Sequence, residues 1–198
     1  MRHHEYSYPF HSKALHAIIA ITGITAFLTG ELAESGDSST EFYIHAYLGL
    51  SLSFFIIMRL ISGISGPEHM RFSSWSPLSA IQWKFASQDV RSLINLQIPE
   101  RGIHEGLSGL TQAFGLILFT WMGATGTGLF LVNENQQEIL FEIIEELHEI
   151  GEALIPLFLT LHVGSVFVHS LAGKPIWQRM WRFKTGLNES KNDSEYKH

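Results

Sequence analysis

The sequence predicts an all-α integral membrane protein: a four-helix bundle with both termini on the cytoplasmic side. Three observations predict it. Only 16% of the 198 residues are charged, against 45% hydrophobic. Four stretches carry no Asp, Glu, Lys or Arg: 17 residues between Lys13 and Glu31, 17 between Glu41 and Arg59, 28 between Glu105 and Glu134, and 21 between Glu152 and Lys174. A helix needs about 20 mostly apolar residues to cross the hydrocarbon core, whereas soluble amphipathic helices show charge every turn or two. The third observation is where the cations lie. All 13 Lys and Arg fall in three places: the N-terminus (Arg2, Lys13), the segment between the second and third stretches (Arg59, Arg71, Lys84, Arg91, Arg101) and the tail (Lys174, Arg179, Arg182, Lys184, Lys191, Lys197). The connections 31–41 and 134–152 hold no cation. The positive-inside rule then places both termini and the middle loop in the cytoplasm.

Residues 1–186 read as one transmembrane domain and 187–198 as a polar, disordered tail. The first span is 10–31. Its leading segment is polar and no small-residue cleavage site follows it, so it is a retained span and not a signal peptide. The second span is 43–62. The cytoplasmic loop 63–103 is interrupted by Pro67, Pro77 and Pro99. Its aromatics Phe72, Trp75, Trp83 and Phe85 predict short amphipathic helices lying on the inner leaflet, in contact with membrane lipid. The third span is 105–132. Over 136–147 the residues Ile139, Leu140, Ile143, Ile144 and Leu147 recur at helical spacing among glutamates. The fourth helix therefore begins outside the bilayer and continues as the span 148–172.

Composition narrows the chemistry. With no Cys there is no disulfide framework, thiolate zinc site, iron–sulfur cluster or covalent c-type haem. A net charge of -6 argues against nucleic acid as a partner. What remains is 11 His, several of them inside apolar windows. An ionisable residue within a span is a functional-site hypothesis by default; the alternative for any one of them is a hydrogen-bonded packing histidine.

The histidine spacing points further. His148 and His162 are 14 residues apart on one helix, which is four turns less about 40°, so both rings share a face. At 1.5 Å per residue they stand about 21 Å apart along the axis, one toward each side of the core. Helix one runs outward with His16 near its inner end. Helix two runs inward with His45 near its outer end. His16 can thus meet His162 at the inner level, and His45 can meet His148 at the outer level. Two facing imidazole pairs stacked across a bundle describe two bis-histidine, non-covalent haem b groups. Gly23, Gly30 and Gly49 are the small residues expected to let flat macrocycles approach these helices. Arg59, 14 residues after His45, is expected at the inner haem as a propionate partner; the alternative is a positive-inside flank. Pairing His169 instead of His162 would set the fourth-helix ligands about 31 Å apart, too far for two haems in one membrane. His169 is left as a neighbour of the inner haem, a quinone-side residue or a packing residue.

At this point a family resemblance is visible. The segment His148-Glu-Ile…Thr-Leu-His162…Val-His169 resembles the last helix of the bacterial cytochrome b561 and nickel–iron hydrogenase b-type cytochrome family. Ile-His45…Gly49…Met-Arg59-Leu resembles its second helix. Gly63…Gly66-Pro-Glu-His-Met-Arg71-Phe72-Ser73 resembles its Gly-x-x-x-Ala-Arg-Phe-Ser stretch. The resemblance covers about residues 8–185. It implies four transmembrane helices in a bacterial cytoplasmic (inner) membrane, two b haems on His16, His45, His148 and His162, and electron exchange with a quinone. Two positions depart from the family's habit. Ala17 stands where Trp is common, and His104-Glu105-Gly106-Leu107-Ser108-Gly109 replaces His-Asn-Pro-x-Gly at the start of helix three. His104 and Glu105 are candidates for quinone contact, as hydrogen-bond partner and proton relay; the alternative is that they cap the helix.

The outer connections carry eleven acids and no base: Glu31, Glu34, Asp37, Glu41, Glu134, Glu138, Glu142, Glu145, Glu146, Glu149 and Glu152. Such a face steers a basic partner toward the outer haem. The expected function is electron transfer across the membrane between a periplasmic c-type cytochrome or redox subunit and the quinone pool. One alternative is a stand-alone oxidoreductase passing electrons from superoxide or another small molecule to quinone. An alternative of another class is a transporter or proton channel using its histidines as a relay.

Overall fold

The computed structural model describes residues 8–33, 40–66, 71–72, 79–99, 105–132, 137–173 and 176–181. They form α1 (Phe10–Ala33), α2 (Thr40–Ser65), α3 (Ala80–Ile94), α4 (Gly106–Leu131), α5 (Glu138–Leu171) and the short α6 (Gln178–Trp181), with no strand among them. α1, α2, α4 and α5 are each long and apolar enough to cross a membrane. The expected outer extension and fourth span are one continuous helix, Glu138–Leu171, of 34 residues that runs through Pro156. At 1.5 Å per residue α5 is about 51 Å long, well beyond a hydrocarbon core of about 30 Å.

α1 packs along α2, α2 along α4, and α4 along α5. The buried core is small: Leu118, Ile155 and Phe158, with Phe27, Phe114, Phe119, Met122 and Leu159 packed against it. Most large apolar side chains, such as Ile21, Leu28, Phe54, Ile117 and Phe167, lie on the outside. A bundle solvated by lipid gains little by burying them, so its helices associate by close packing at small residues. Gly115 seats the Phe158 ring, Gly151 seats Trp121 and Met122, and Gly123 seats Ser53. The hydroxyls within the spans are satisfied locally. Thr22, Thr25, Ser51, Ser53, Thr120 and Thr127 each donate to the carbonyl four residues earlier, the arrangement hydrocarbon demands of a polar group.

α3 is the amphipathic helix expected in the cytoplasmic loop. Gln82, Ala86 and Asp89 form its buried face, while Trp83 and Ile94 are 60% and 75% exposed. The buried face docks on the start of α4. The Gly106 N–H donates to Gln82 Oε1 at 2.8 Å, and the Leu107 N–H donates to Asp89 Oδ2 at 3.0 Å. These are two of the helix-start donors that have no partner within α4, and the Asp89 carboxylate also suits the positive end of the helix dipole. Gly106 takes φ +60°, a conformation that favours glycine. Glu105, read as a possible cap, makes no side-chain cap hydrogen bond. The caps come instead from a separate helix.

Asp89→Ala is expected to strand the Leu107 N–H and cost about 1–3 kcal/mol. The thermal unfolding midpoint in detergent should fall accordingly, while Asp89→Asn, which keeps an acceptor oxygen, should retain most of the stability.

Candidate functional site

The structure brings four histidines together in two pairs. His16 of α1 and His162 of α5 have ring centroids 6.1 Å apart, tilted by 34°. His45 of α2 and His148 of α5 have centroids 6.3 Å apart and lie at 90°. The two rings on α5 are separated by four turns, about 21 Å, so one pair sits toward the cation-bearing end of the bundle and the other toward the acidic end. Phe158 lies between the levels. It stacks on His162 at 5.3 Å and 14°, and its edge meets Phe119 at 5.4 Å.

At the acidic-end pair the outer hydrogen bonds assign the tautomers. His45 Nδ1 lies 3.0 Å from the Ala26 carbonyl and 3.5 Å from Thr29 Oγ1. A carbonyl only accepts, so Nδ1 carries the proton. His148 Nδ1 lies 2.8 Å from Thr125 Oγ1. The Thr125 hydroxyl also reaches the Trp121 carbonyl at 2.9 Å, so its oxygen can accept from His148 Nδ1–H while its own proton goes to that carbonyl. In both rings the Nε2 lone pair is left uncommitted among the described residues.

The surroundings are tight on some sides and open on others. A Cβ on Gly126 would lie 3.2 Å from His148 Cε1, and one on Gly30 would lie 2.9 Å from Glu152 Oε1 and 3.9 Å from His45 Cε1. A Cβ on Gly49, one turn from His45, would meet nothing within 4 Å. At the other end, the Arg59 guanidinium carbon lies 5.5 Å from the centre of the Phe72 ring. Its Nη1 is buried with no hydrogen-bond partner among the described residues.

The other candidate positions are spread along the helices. A Cβ on Gly23 would lie 3.5 Å from Phe119 of α4 and 3.8 Å from Leu52 of α2, so that face of α1 is turned to these side chains. Its small size serves helix packing there. Glu152, counted with the acidic outer connection, is one turn further along α5 than His148, half-buried against Gly30 of α1. His169 is not drawn into either pair; its ring Nδ1–H donates to the Ser165 carbonyl of its own helix at 2.8 Å. Glu105 is half-buried at the start of α4. His104 lies outside the described residues, as do Glu34, Asp37 and Glu134. Thr125, Gly126 and Glu152 are site neighbours that the sequence reading did not single out as such. Spacing from His148 marks Glu152 as co-facial, but nothing in α4 itself marks Thr125.

The family model of prokaryotic cytochrome b561 matches residues 7–183, nearly the whole chain. The chain belongs to the prokaryotic cytochrome b561 family. It is a multi-pass b-type membrane cytochrome that binds haem b and works in electron transfer. Neither the curated proteins nor the solved structures contain a match to it.

A cytochrome b561 without cysteine holds its haem by coordination and packing alone. Acid acetone should therefore extract all of the haem from the purified protein and leave a colourless precipitate. Haem retained in the pellet would contradict this.

Proposed function

We propose that this cytochrome b561 carries two b haems, one on His16 and His162 and one on His45 and His148, and conducts electrons across the bacterial cytoplasmic membrane between a periplasmic redox partner and the quinone pool. The observation that carries this reading is the spacing of the imidazole pairs. A metal–imidazole nitrogen bond is about 2 Å and the ring centre lies ~1 Å behind the nitrogen, so two rings on opposite sides of one metal have centroids about 6 Å apart. The observed 6.1 and 6.3 Å agree at both levels. The donor set agrees as well, since at both acidic-end rings Nδ1 lies against an oxygen and Nε2 is left for a metal.

The bound haems supply one-electron ferric–ferrous chemistry. The chain's own residues do the rest. Arg59, whose buried Nη1 has no hydrogen-bond partner among the described residues, would pair with a propionate at the cation-bearing end. Gly49 leaves room beside His45, and Gly30 and Gly126 let neighbouring groups close on the acidic-end pair. Positive-inside orientation puts the His16–His162 level on the cytoplasmic side. Quinone exchange is assigned there, with Glu105, His104 and His169 as the contact candidates.

At the opposite end, Glu138, Glu142, Glu145, Glu146 and Glu149 line the exposed start of α5. This face fits a basic, soluble redox protein such as a c-type cytochrome or a redox subunit. It speaks against the superoxide reading, which calls for positive charge around an anion's point of reaction. The relay reading is weakened by Nδ1 protons that are committed to fixed oxygens in the bundle.

Two measurements test the proposal. Purified protein should contain two haems per chain, and His45→Ala or His148→Ala should each lose about half the haem absorbance, as should His16→Ala or His162→Ala at the other level. Full occupancy in His162→Ala would place the ligand elsewhere. With a basic partner, electron transfer should slow steeply as ionic strength rises, because exposed charges are screened beyond a Debye length of about 10 Å at 0.1 M. Neutralising Glu138, Glu142, Glu145 and Glu146 together should slow association and flatten that dependence with both haem spectra unchanged. A salt-independent rate in the unmodified protein would leave the acids as a solvated helix face.

A further inference from the structure

Thr125 stands in a different relation to its helix from most span hydroxyls; Thr29, 3.5 Å from His45 Nδ1, shares that relation at longer range. Like them it donates its proton backward, to the Trp121 carbonyl at 2.9 Å, with the Met122 carbonyl at 3.3 Å. Unlike Thr120 and Thr127, whose hydrogen bonds stay within α4, its oxygen is also met from another helix, by His148 Nδ1 at 2.8 Å. A hydroxyl has one proton and two lone pairs. With its proton on the Trp121 carbonyl the oxygen accepts from His148 Nδ1–H, the tautomer that leaves Nε2 for a metal.

The local packing holds that bond in place from both sides. Trp121 Nε1–H donates to the Leu147 carbonyl at 2.8 Å, tying α4 to α5 at the residue before His148. A Cβ on Gly126, the residue after Thr125, would come within 3.2 Å of His148 Cε1, so the α4 backbone lies close against the imidazole. Across the pair, His45 finds its acceptor in the Ala26 backbone carbonyl, which no substitution removes. Thr125, at 2.8 Å from His148 Nδ1, is the nearer of the two threonine side chains at this pair, Thr29 standing 3.5 Å from His45 Nδ1.

We propose that Thr125 is a positioning residue for His148: it fixes the Nδ1–H tautomer, aims the ring and, by accepting that proton in a hydrogen bond, raises the donor strength of Nε2 toward the haem iron. This rests on the dihaem reading above. A hydrogen bond from Nδ1–H to an oxygen makes imidazole more basic at its other nitrogen, and a more basic axial ligand favours ferric over ferrous iron. The oxygen of Thr125 therefore lowers the potential of the acidic-end haem relative to the same site without it.

The test is a redox titration of both haems, followed by absorbance, in the unmodified protein, Thr125→Val and Thr125→Ser. Val keeps the shape and removes the acceptor; Ser keeps the acceptor. Thr125→Val should shift the ferric–ferrous equilibrium of one haem toward ferrous by about tenfold, an upward move of about 59 mV for one electron. The other haem should stay in place, and Thr125→Ser should titrate as the unmodified protein does. If Thr125→Val instead releases one haem while Thr125→Ser keeps both at unmodified potentials, the hydroxyl is likewise shown to hold His148. Unmoved potentials in Thr125→Val with both haems bound overturn the proposal. So does a Ser variant that shifts or loses haem as the Val variant does, which would trace the effect to packing. A stoichiometry below two haems in the unmodified protein is a different failure, that of the dihaem reading itself.

Discussion

An imidazole set among apolar helices has two nitrogens to satisfy, and hydrocarbon offers nothing to either. At the acidic end of this bundle one nitrogen of each ring is answered from within the protein, by the Ala26 carbonyl for His45 and by Thr125 for His148. The second nitrogen of each is left for something held between them. The surroundings follow from that constraint. α4 must come close enough for a threonine to reach His148, an approach that glycine at 126 eases because a Cβ there would stand 3.2 Å from the ring, and α1 must come close enough for a backbone carbonyl to reach His45. The geometry of the pair is thus a property of four helices together.

Close helix approach is also what stabilises the fold. With most large apolar side chains facing outward, the bundle cannot depend on a thick interior. It depends on seats such as Gly115 for Phe158 and Gly151 for Trp121 and Met122, where α4 and α5 meet. Trp121 serves both purposes: it fills the Gly151 seat and anchors the chain beside His148 through the Leu147 carbonyl. At the other end, α3 does from outside the spans what no residue of α4 does for itself, capping its first turn with Gln82 and Asp89. α3 is therefore part of the bundle's architecture and sits beside the end at which quinone exchange is proposed.

Much of this was legible in the residues. The four spans follow from charge-free windows, because a charge in hydrocarbon is costly enough to leave a gap in the sequence wherever a helix crosses. The pairing of His16 with His162 and His45 with His148 follows from the 14-residue interval on α5 and the antiparallel course of the helices. Less visible was anything depending on how far one helix is turned toward another. Glu152, the last charge before an apolar window, reads as an outside residue, yet it lies one turn past His148 in the bundle. Gly23 reads as a place for a macrocycle, yet its face is turned to Phe119 and Leu52. Thr125 is one of four threonines on α4, and each also bonds to its own helix.

The class of the protein, the number and order of its spans, and which histidines share a face can be read from the residues alone. These follow from local rules: the thickness of the hydrocarbon core, and the rise and rotation of a rigid helix. Tertiary structure alone decided which oxygen answers each ring, which glycine admits a neighbour and which helix caps α4. Those contacts join residues on different helices, and the rotation and depth of one helix against another come from the packing of small side chains across the whole interface, for which no interval along the chain provides a measure.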